Sequence, residues 1–372
     1  MIKIGITGQV GFIGTHLFNY LTFRKTEVEL IPFRDDFFQD QNKLEAFVGQ
    51  CDAIVHLAAL NRHNDPQVIY NTNIELVRKL ISAMEATVSR PHVLFSSSTQ
   101  EERDNVFGKS KREGRKLLAE WAARSGGVFT GMVIPNVFGP FGNPYYNSVI
   151  ATFSHQLTHN EQPKIEVDAQ LKLIYIGDLV RIIYYLIENK IADDEFRITP
   201  NDEARVTEIL TLLQSFKALY FEKGIIPDLT DPFERNLFNT FVCYINHESY
   251  FPFKLKLNSD ERGSFVETLK LNSGGQVSFS TTKPGITRGN HFHTRKAERF
   301  AVIKGKARIQ FRRIGTSKIM SFELNGREPS YVDMPVWHTH NITNTGDDEL
   351  YTIFWINESY DPTDPDTFFE QV

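Results

Sequence analysis

Apolar and polar positions follow two rhythms along this chain, and the point where the rhythm changes divides it. Residues 2–7 (IKIGIT) form a short apolar run that predicts a buried strand. The turn Gly8-Gln-Val-Gly11-Phe12-Ile13-Gly14 follows at once, and residues 16–21 then have helical spacing. Residues 28–33 read as a second strand and 52–60 (DAIVHLAAL) as a third running into a loop. Residues 73–85 read as a helix, and 93–99 (VLFSSST) as a strand ending in hydroxyls. Strands alternating with helices predict a doubly wound parallel sheet of the Rossmann type, with ligands at the carboxyl ends of its strands.

From about residue 137 this rhythm loosens. Residues 143–153 lead into a helix, and 173–181 read as a strand-to-helix turn with Asp178 as N-cap. The chain to Cys243 is mainly helical. Around 246–252 its character changes to period-two alternation, over 276–281, 299–303, 307–313, 318–324 and 350–356. Short strands separated by Gly, Asn, Asp and Pro, without helices, predict an all-β jelly roll or small barrel. The domains expected are therefore 1–245 and 253–372.

Composition adds little to this picture. The 372 residues carry a net charge of −5 with no long basic run, so neither nucleic acid nor a membrane surface is expected as a partner. No apolar run is long enough to span a bilayer. Two distant cysteines, Cys51 and Cys243, make no disulfide framework, and a reducing, cytoplasmic location is expected.

The candidate chemistry lies in two places. In the first turn, glycines allow the backbone to approach a pyrophosphate, and the helix start favours its charge. Gly8, Gly11, Phe12, Ile13 and Gly14, with Leu57 and Ala58 at the end of the third strand, are the expected cofactor contacts. Arg34 suits a 2′-phosphate and so NADP(H), or equally is a surface arginine paired with Asp35 and Asp36. Near the other end, His291 and His293 fall on one face of a strand, and Glu298 can return to the same pocket after one turn. Imidazoles and a carboxylate suit Zn²⁺ or a similar divalent ion with a position left open for substrate. A further ligand is expected downstream within residues 335–344, which include His338 and His340.

The first part resembles the extended short-chain dehydrogenase/reductases, on Gly8/Gly11/Gly14, His56-Leu57-Ala58-Ala59, Ser96-Ser97-Ser98 and Asn136-Val-Phe-Gly139-Pro140. That resemblance implies a Ser/Thr, Tyr and Lys working together. Ser98 and Lys111 fit, with Lys111 holding the nicotinamide ribose, but the tyrosine position holds Phe107, which has no proton to give. Ser98, Thr99 or a water is left to substitute. Asn136, Tyr146 and Asn147 are implied substrate contacts, the last two equally well structural.

The second part resembles the cupins. Gly285, His291, His293, Glu298 and Gly305 satisfy every position of their first motif, and Pro335, His340 and Asn344 fit the second, with Trp337 in place of its glycine. The resemblance implies His291, His293, Glu298 and His340 as metal ligands. His338 lies beside the matched position, as a general base in the barrel mouth or a solvated turn residue.

The order of the two parts, with stretches such as residues 146–153, 263–265 and 283–291, is similar to a family of bifunctional capsular-polysaccharide synthesis enzymes. That family implies a UDP-2-acetamido-2,6-dideoxy-4-keto-hexose substrate. The cupin part would epimerise C3, and the reductase part would reduce the C4 ketone with NADPH, towards UDP-N-acetyl-L-fucosamine. It also implies a homodimer. Two alternatives stay open: an epimerase alone, because of Phe107, and a non-catalytic sugar-nucleotide-binding scaffold.

Overall fold

The computed structural model describes the chain except residues 261–262, 267, 272–274 and 359–360. It gives the strands at 257–260, 263–266 and 270–271 by backbone alone, so the side chains of Gly263-Ser264-Phe265 lie outside the described residues. The chain forms two compact units, Met1–Val137 with Lys172–Glu203, and Phe138–Leu171 with Ala204–Val372.

The first unit is built on six parallel strands in the order Val28–Ile31, Ile2–Thr7, Ala53–His56, His92–Ser98, Phe129–Ile134 and Asp193–Arg197. Ala53–His56 is buried at every position, which explains why it reads as a continuous apolar run and not as alternation, and Phe129–Ile134 is buried throughout as well. Helices Gln41–Val48, Pro66–Ala86 and Val106–Ser125 supply Phe47, Val77, Leu80, Met84, Leu118 and Trp121 to a core with Ile54, Val93 and Phe95. Two boundaries differ from expectation. The helix read as 73–85 begins at Pro66, behind an Asp65 cap that accepts from the Gln67 N–H, because proline suits the first helical turn. Asp178 is not an N-cap: Tyr175 is, and Asp178 sits in the first turn of Ile176–Glu188, 3.4 Å from Arg181.

In the second unit, two five-stranded sheets stand out. One runs Phe253–Lys254, Ser330–Met334, Glu298–Lys304, Leu350–Ile356, Gln276–Thr282; the other runs Ile319–Asn325, Lys306–Arg313, His338–Asn344, Thr287–Phe292, Phe368–Phe369. All pairings within them are antiparallel. Ala301, Val302, Tyr331, Val332 and Leu350 from one sheet pack with Ile309, Phe311, Phe322 and Ile342 from the other. This is the two-layer core that period-two alternation requires.

Helices Val149–Thr158, Val206–Phe216 and Pro232–Val242 group with these sheets and not with the parallel sheet, whereas the sequence rhythm divides the chain near residue 250. A buried ion pair contributes to that attachment. Arg299, 1% exposed, holds Asp333 through two bonds of 2.8 and 2.9 Å and donates to the Gly224 carbonyl at 2.8 Å. The Tyr220 hydroxyl also bonds Asp333. A buried charge needs this full set of partners to offset its lost hydration.

Candidate active sites: a glycine-lined turn and a histidine–carboxylate cluster

At the first turn, Gly8 adopts φ +68°, and a Cβ there would lie 2.7 Å from the Ala58 nitrogen. A Cβ on Gly14 would lie 2.2 Å from the Gly8 carbonyl oxygen. Strand, helix and the loop at Leu57–Ala58 therefore meet as bare backbone. The Gly11 N–H donates to the Gly8 carbonyl at 3.0 Å and closes the turn. Gly11 caps the helix Phe12–Thr22 with no side chain, and no acidic residue stands in the first turn beside Phe12 and Ile13. A helix start left this way is suited to an anion such as a pyrophosphate. The Ala58 N–H reaches Thr7 Oγ1 at 3.3 Å, and Thr7 Oγ1 lies 2.7 Å from His56 Nδ1. Arg34 is exposed and bonds Asp36 at 3.0 Å, the surface pairing, which leaves its head group on the outside of this unit.

Deeper in the same unit, Asn105 caps the helix Val106–Ser125 by accepting from the Gly108 N–H at 2.7 Å. One turn on, Lys111 is buried. Its Nζ lies 3.5 Å from Ser96 Oγ, 5.0 Å from the Phe95 ring centroid and 5.6 Å from that of Phe107. Burial pulls the Lys111 amine down to about 8. Burial, with Lys111 adding to it, pushes His56 down to about 3. Ser98 accepts from the Gln100 N–H at 3.2 Å and so caps the short turn Thr99–Glu102. The hydroxyl beside Lys111 is therefore Ser96, a residue not singled out from sequence. It shares a strand face with Ser98, since the two are two apart, and that periodicity was the available signal. Asn136 donates to the Lys172 carbonyl at 3.1 Å, while Tyr146 and Asn147 are exposed residues of the second unit.

The histidine cluster is built across both sheets of the second unit. Gly289 (φ +98°) and Asn290 (φ +58°) bulge the strand Thr287–Phe292 and bring His291 directly opposite His340. His293 follows that strand, and Glu298 opens the strand Glu298–Lys304 of the other sheet. One ligand atom from each of His291, His293, Glu298 and His340 lies within 4.8 Å of the others. Glu298 Oε2 is 2.8 Å from His340 Nε2 and 3.3 Å from His293 Nε2. These are ion-pair distances, yet all three atoms are buried without a geometrically sound hydrogen bond. They point at a common space more than at one another.

The far sides of the rings show why. His293 Nδ1 lies 2.5 Å from the Asp366 carbonyl oxygen and His340 Nδ1 lies 3.1 Å from the His338 carbonyl oxygen. A carbonyl can only accept, so each Nδ1 carries a proton, and Nε2 is the ring atom left to face inward. Burial, with its two neighbouring imidazoles, lowers His291 to about 4 and keeps it neutral. Burial opposes the charged form of His293, but the Glu298 carboxylate outweighs it and raises the ring. Burial also penalises the Glu298 carboxylate, and the two rings outweigh that and hold it well below the usual range. Three imidazoles and an ionised carboxylate, gathered within 4.8 Å of one another, are a donor set that fits a divalent cation.

His338 is not the solvated turn residue that was one expectation. It is 3% exposed, its Nδ1 lies 3.0 Å from the Val336 carbonyl oxygen, and its ring stands edge-on to His247 and Phe311, each 5.5 Å away. Burial pushes it down to about 3, and it is not a member of the four-residue group. The available signal was the apolar Val336-Trp337 before it, both buried, where the strand His338–Asn344 begins. Cys51 and Cys243 are both free, and no helix among the described residues is long and apolar enough to cross a membrane.

Comparison with known proteins adds to this geometry. Residues 4–199 match the NAD dependent epimerase/dehydratase family, and residues 258–368 match the polysaccharide biosynthesis C-terminal domain. The chain is 34% identical over 371 residues to a UDP-2-acetamido-2,6-beta-L-arabino-hexul-4-ose reductase of Pseudomonas aeruginosa, covering 99% of this chain and 98% of that one. The capsular polysaccharide assembling protein CapF of Staphylococcus aureus superposes with a TM-score of 0.64 and 34% identity over 100% of both chains. The RMD protein of Pseudomonas aeruginosa, solved with NADPH, covers 59% of this chain and 83% of its own with a TM-score of 0.52 and 22% identity, a likeness of fold alone.

Proposed function

The chain belongs to the NAD dependent epimerase/dehydratase family and, along its whole length, to the capsular-polysaccharide enzymes that include CapF, and from that premise we propose that it carries two chemistries in two places. The four-residue cluster epimerises C3 of a UDP-2-acetamido-2,6-dideoxy-4-keto-hexose. The glycine-lined turn seats a nicotinamide cofactor, NADPH, for reduction of the C4 ketone. The product lies on a route to UDP-N-acetyl-L-fucosamine. The relative named as a reductase of a 4-keto UDP-sugar supports the substrate class and the second step.

The observation that carries the first step is the convergence of His293 Nε2, His340 Nε2 and Glu298 Oε2 on one buried space without hydrogen bonds. A divalent ion there would supply Lewis acidity to the C4 carbonyl. A C4 ketone already acidifies the C3 hydrogen. The four residues, drawn from the two sheets, would hold that ion in place.

In the other unit, NADPH would supply the hydride. Gly8, Gly11 and Gly14 would leave room for its pyrophosphate, and Lys111 would meet its ribose. Phe107 can give no proton to the C4 oxygen, so that proton must come from another donor. Phe107 also favours a second reading, in which the chain is an epimerase and the first unit only binds. Mixing the protein with the 4-keto UDP-sugar and NADPH decides between them. Oxidation of NADPH well above the protein-free rate supports both chemistries; none above that rate leaves the epimerase alone.

A further inference from the structure

The loop between His293 and Glu298 sets the spacing of the proposed metal ligands, and the structure ties that loop to the C-terminal tail. Asp366 is the centre of the tie. It is 4% exposed and adopts φ +42°, a left-handed conformation that a residue with a Cβ keeps only when its surroundings hold it. Its carboxylate accepts from three successive backbone N–H groups, Thr294 at 3.2 Å, Arg295 at 2.9 Å and Lys296 at 3.2 Å. The Thr294 hydroxyl adds a bond of 2.6 Å. Its carbonyl oxygen is the acceptor for His293 Nδ1. One residue thus holds both the backbone after His293 and the ring itself.

Neighbouring tail residues extend the grip. Lys296 Nζ donates to the Pro365 carbonyl at 2.8 Å, and Arg295 bonds Glu358 at 3.0 Å and pairs with Asp364 at 2.8 Å. Phe368–Phe369 then adds an edge strand to Thr287–Phe292, with Phe369 opposite His291. The Glu370 N–H donates to the Asn290 carbonyl at 3.0 Å, at the bulge that presents His291.

We infer that Asp366 is a positioning residue for the histidine cluster, and that the C-terminal tail is a strap fixing the tautomer and direction of His293. The inference deepens the proposed metal site and rests on it. The Asp366 carboxylate is thus committed to three N–H groups and one hydroxyl of a single loop, at a left-handed backbone position. The protonated Nδ1 leaves Nε2 free for the cation, and loss of such an outer partner costs roughly 10–100-fold in metal affinity.

The test uses the full-length protein, stripped of metal and titrated with Zn²⁺ against a chromogenic chelator. Asp366→Ala is expected to weaken Zn²⁺ binding roughly 10–100-fold and to lower the melting temperature of a metal-free protein that still folds. Asp366→Asn, which keeps an acceptor, should recover part of the loss. Affinity within twofold of wild type in a folded Asp366→Ala overturns the inference. Should that variant not fold, Thr294→Val removes only the hydroxyl contact and is expected to weaken Zn²⁺ several-fold; an unchanged affinity there overturns the inference as well. Wild-type protein that binds no Zn²⁺ defeats the metal reading instead. The strap then stands or falls on the His293 tautomer read by ¹⁵N NMR of histidine-labelled protein: Nδ1–H in wild type with a mixture in Asp366→Ala supports it, and the same tautomer in both overturns it.

Discussion

The two candidate sites differ in what surrounds an incomplete set of groups. In the histidine cluster all four residues implied by the cupin resemblance come together, and His293, Glu298 and His340 each bring a buried atom without a hydrogen-bond partner. In the parallel-sheet unit the binding features are present, but the position expected to donate a proton holds a phenyl ring 5.6 Å from Lys111. Binding and proton transfer are separable requirements. A glycine turn is kept by steric demands on the backbone, and a catalytic hydroxyl is kept only by the chemistry. The β region therefore holds the full ligand set of the proposed metal site, whereas the proposed reductase step needs a proton donor other than residue 107.

That contrast can be broken most severely at Glu298. Glu298→Gln removes the one anionic group among the four, and solvent exchange at C3 of the sugar is expected to fall by at least ~10³-fold. Reduction of an already epimerised substrate should continue. Exchange that survives within tenfold would detach the cluster from epimerisation. Phe107→Tyr sharpens the other half. Restoring the hydroxyl beside Lys111 is expected to raise NADPH turnover roughly 10²–10⁴-fold, measured at saturating cofactor. An unchanged rate means that another group already serves as the acid.

Lys111 gives a smaller effect with a definite sign. Burial holds its amine at about 8 against 10.5 when unfolded, so between those values the folded chain binds fewer protons. Stability should then rise as pH climbs through that window, and the burial cost is fully present below it. Lys111→Met removes that cost. Near pH 7 the cofactor-free protein is expected to gain on the order of 3 kcal/mol, with the gain shrinking towards pH 10.5, by chemical denaturation. A loss of stability at both ends contradicts the sign. The smallest effect is expected at Arg34, which is exposed and tied to Asp36. Because its head group lies on the outside of the unit and is turned to Asp36, Arg34→Ala should change the NADPH-over-NADH preference less than about fivefold. A larger fall would give Arg34 the 2′-phosphate.

Much of this was legible in the chain because the relevant patterns are local. The inner strands Ile2–Thr7, Ala53–His56 and His92–Ser98 are largely buried and stand out as apolar runs, whereas the edge strand Asp193–Arg197 is polar and exposed and does not. The β region declares itself by alternation, and 350–356 was read to the residue. The cluster was legible because His291, His293 and Glu298 lie within eight residues, with a turn between two strands. What escaped depends on distant pairing. Asp366 lies 73 residues from His293, in a tail whose Asp and Pro content reads as an ordinary loop. Ser96 is one of three consecutive serines, and only its face of the strand separates it from Ser97. The helices at 149–158, 206–216 and 232–242 look like a continuation of the first unit, yet the buried Arg299–Asp333 pair and its contact with Gly224 hold part of that segment to the β-sheets.

The most direct measurement is NMR of the 4-keto UDP-sugar in D₂O with three samples of the protein: metal-stripped, Zn²⁺-restored, and Zn²⁺-restored with NADPH. The account predicts no deuterium at C3 in the first and deuterium at C3 with an inverted centre in the second. In the third it predicts the same label carried into a C4 alcohol. Deuterium entering C3 at equal rates with and without Zn²⁺, or a C4 alcohol formed with no label at C3, would contradict it.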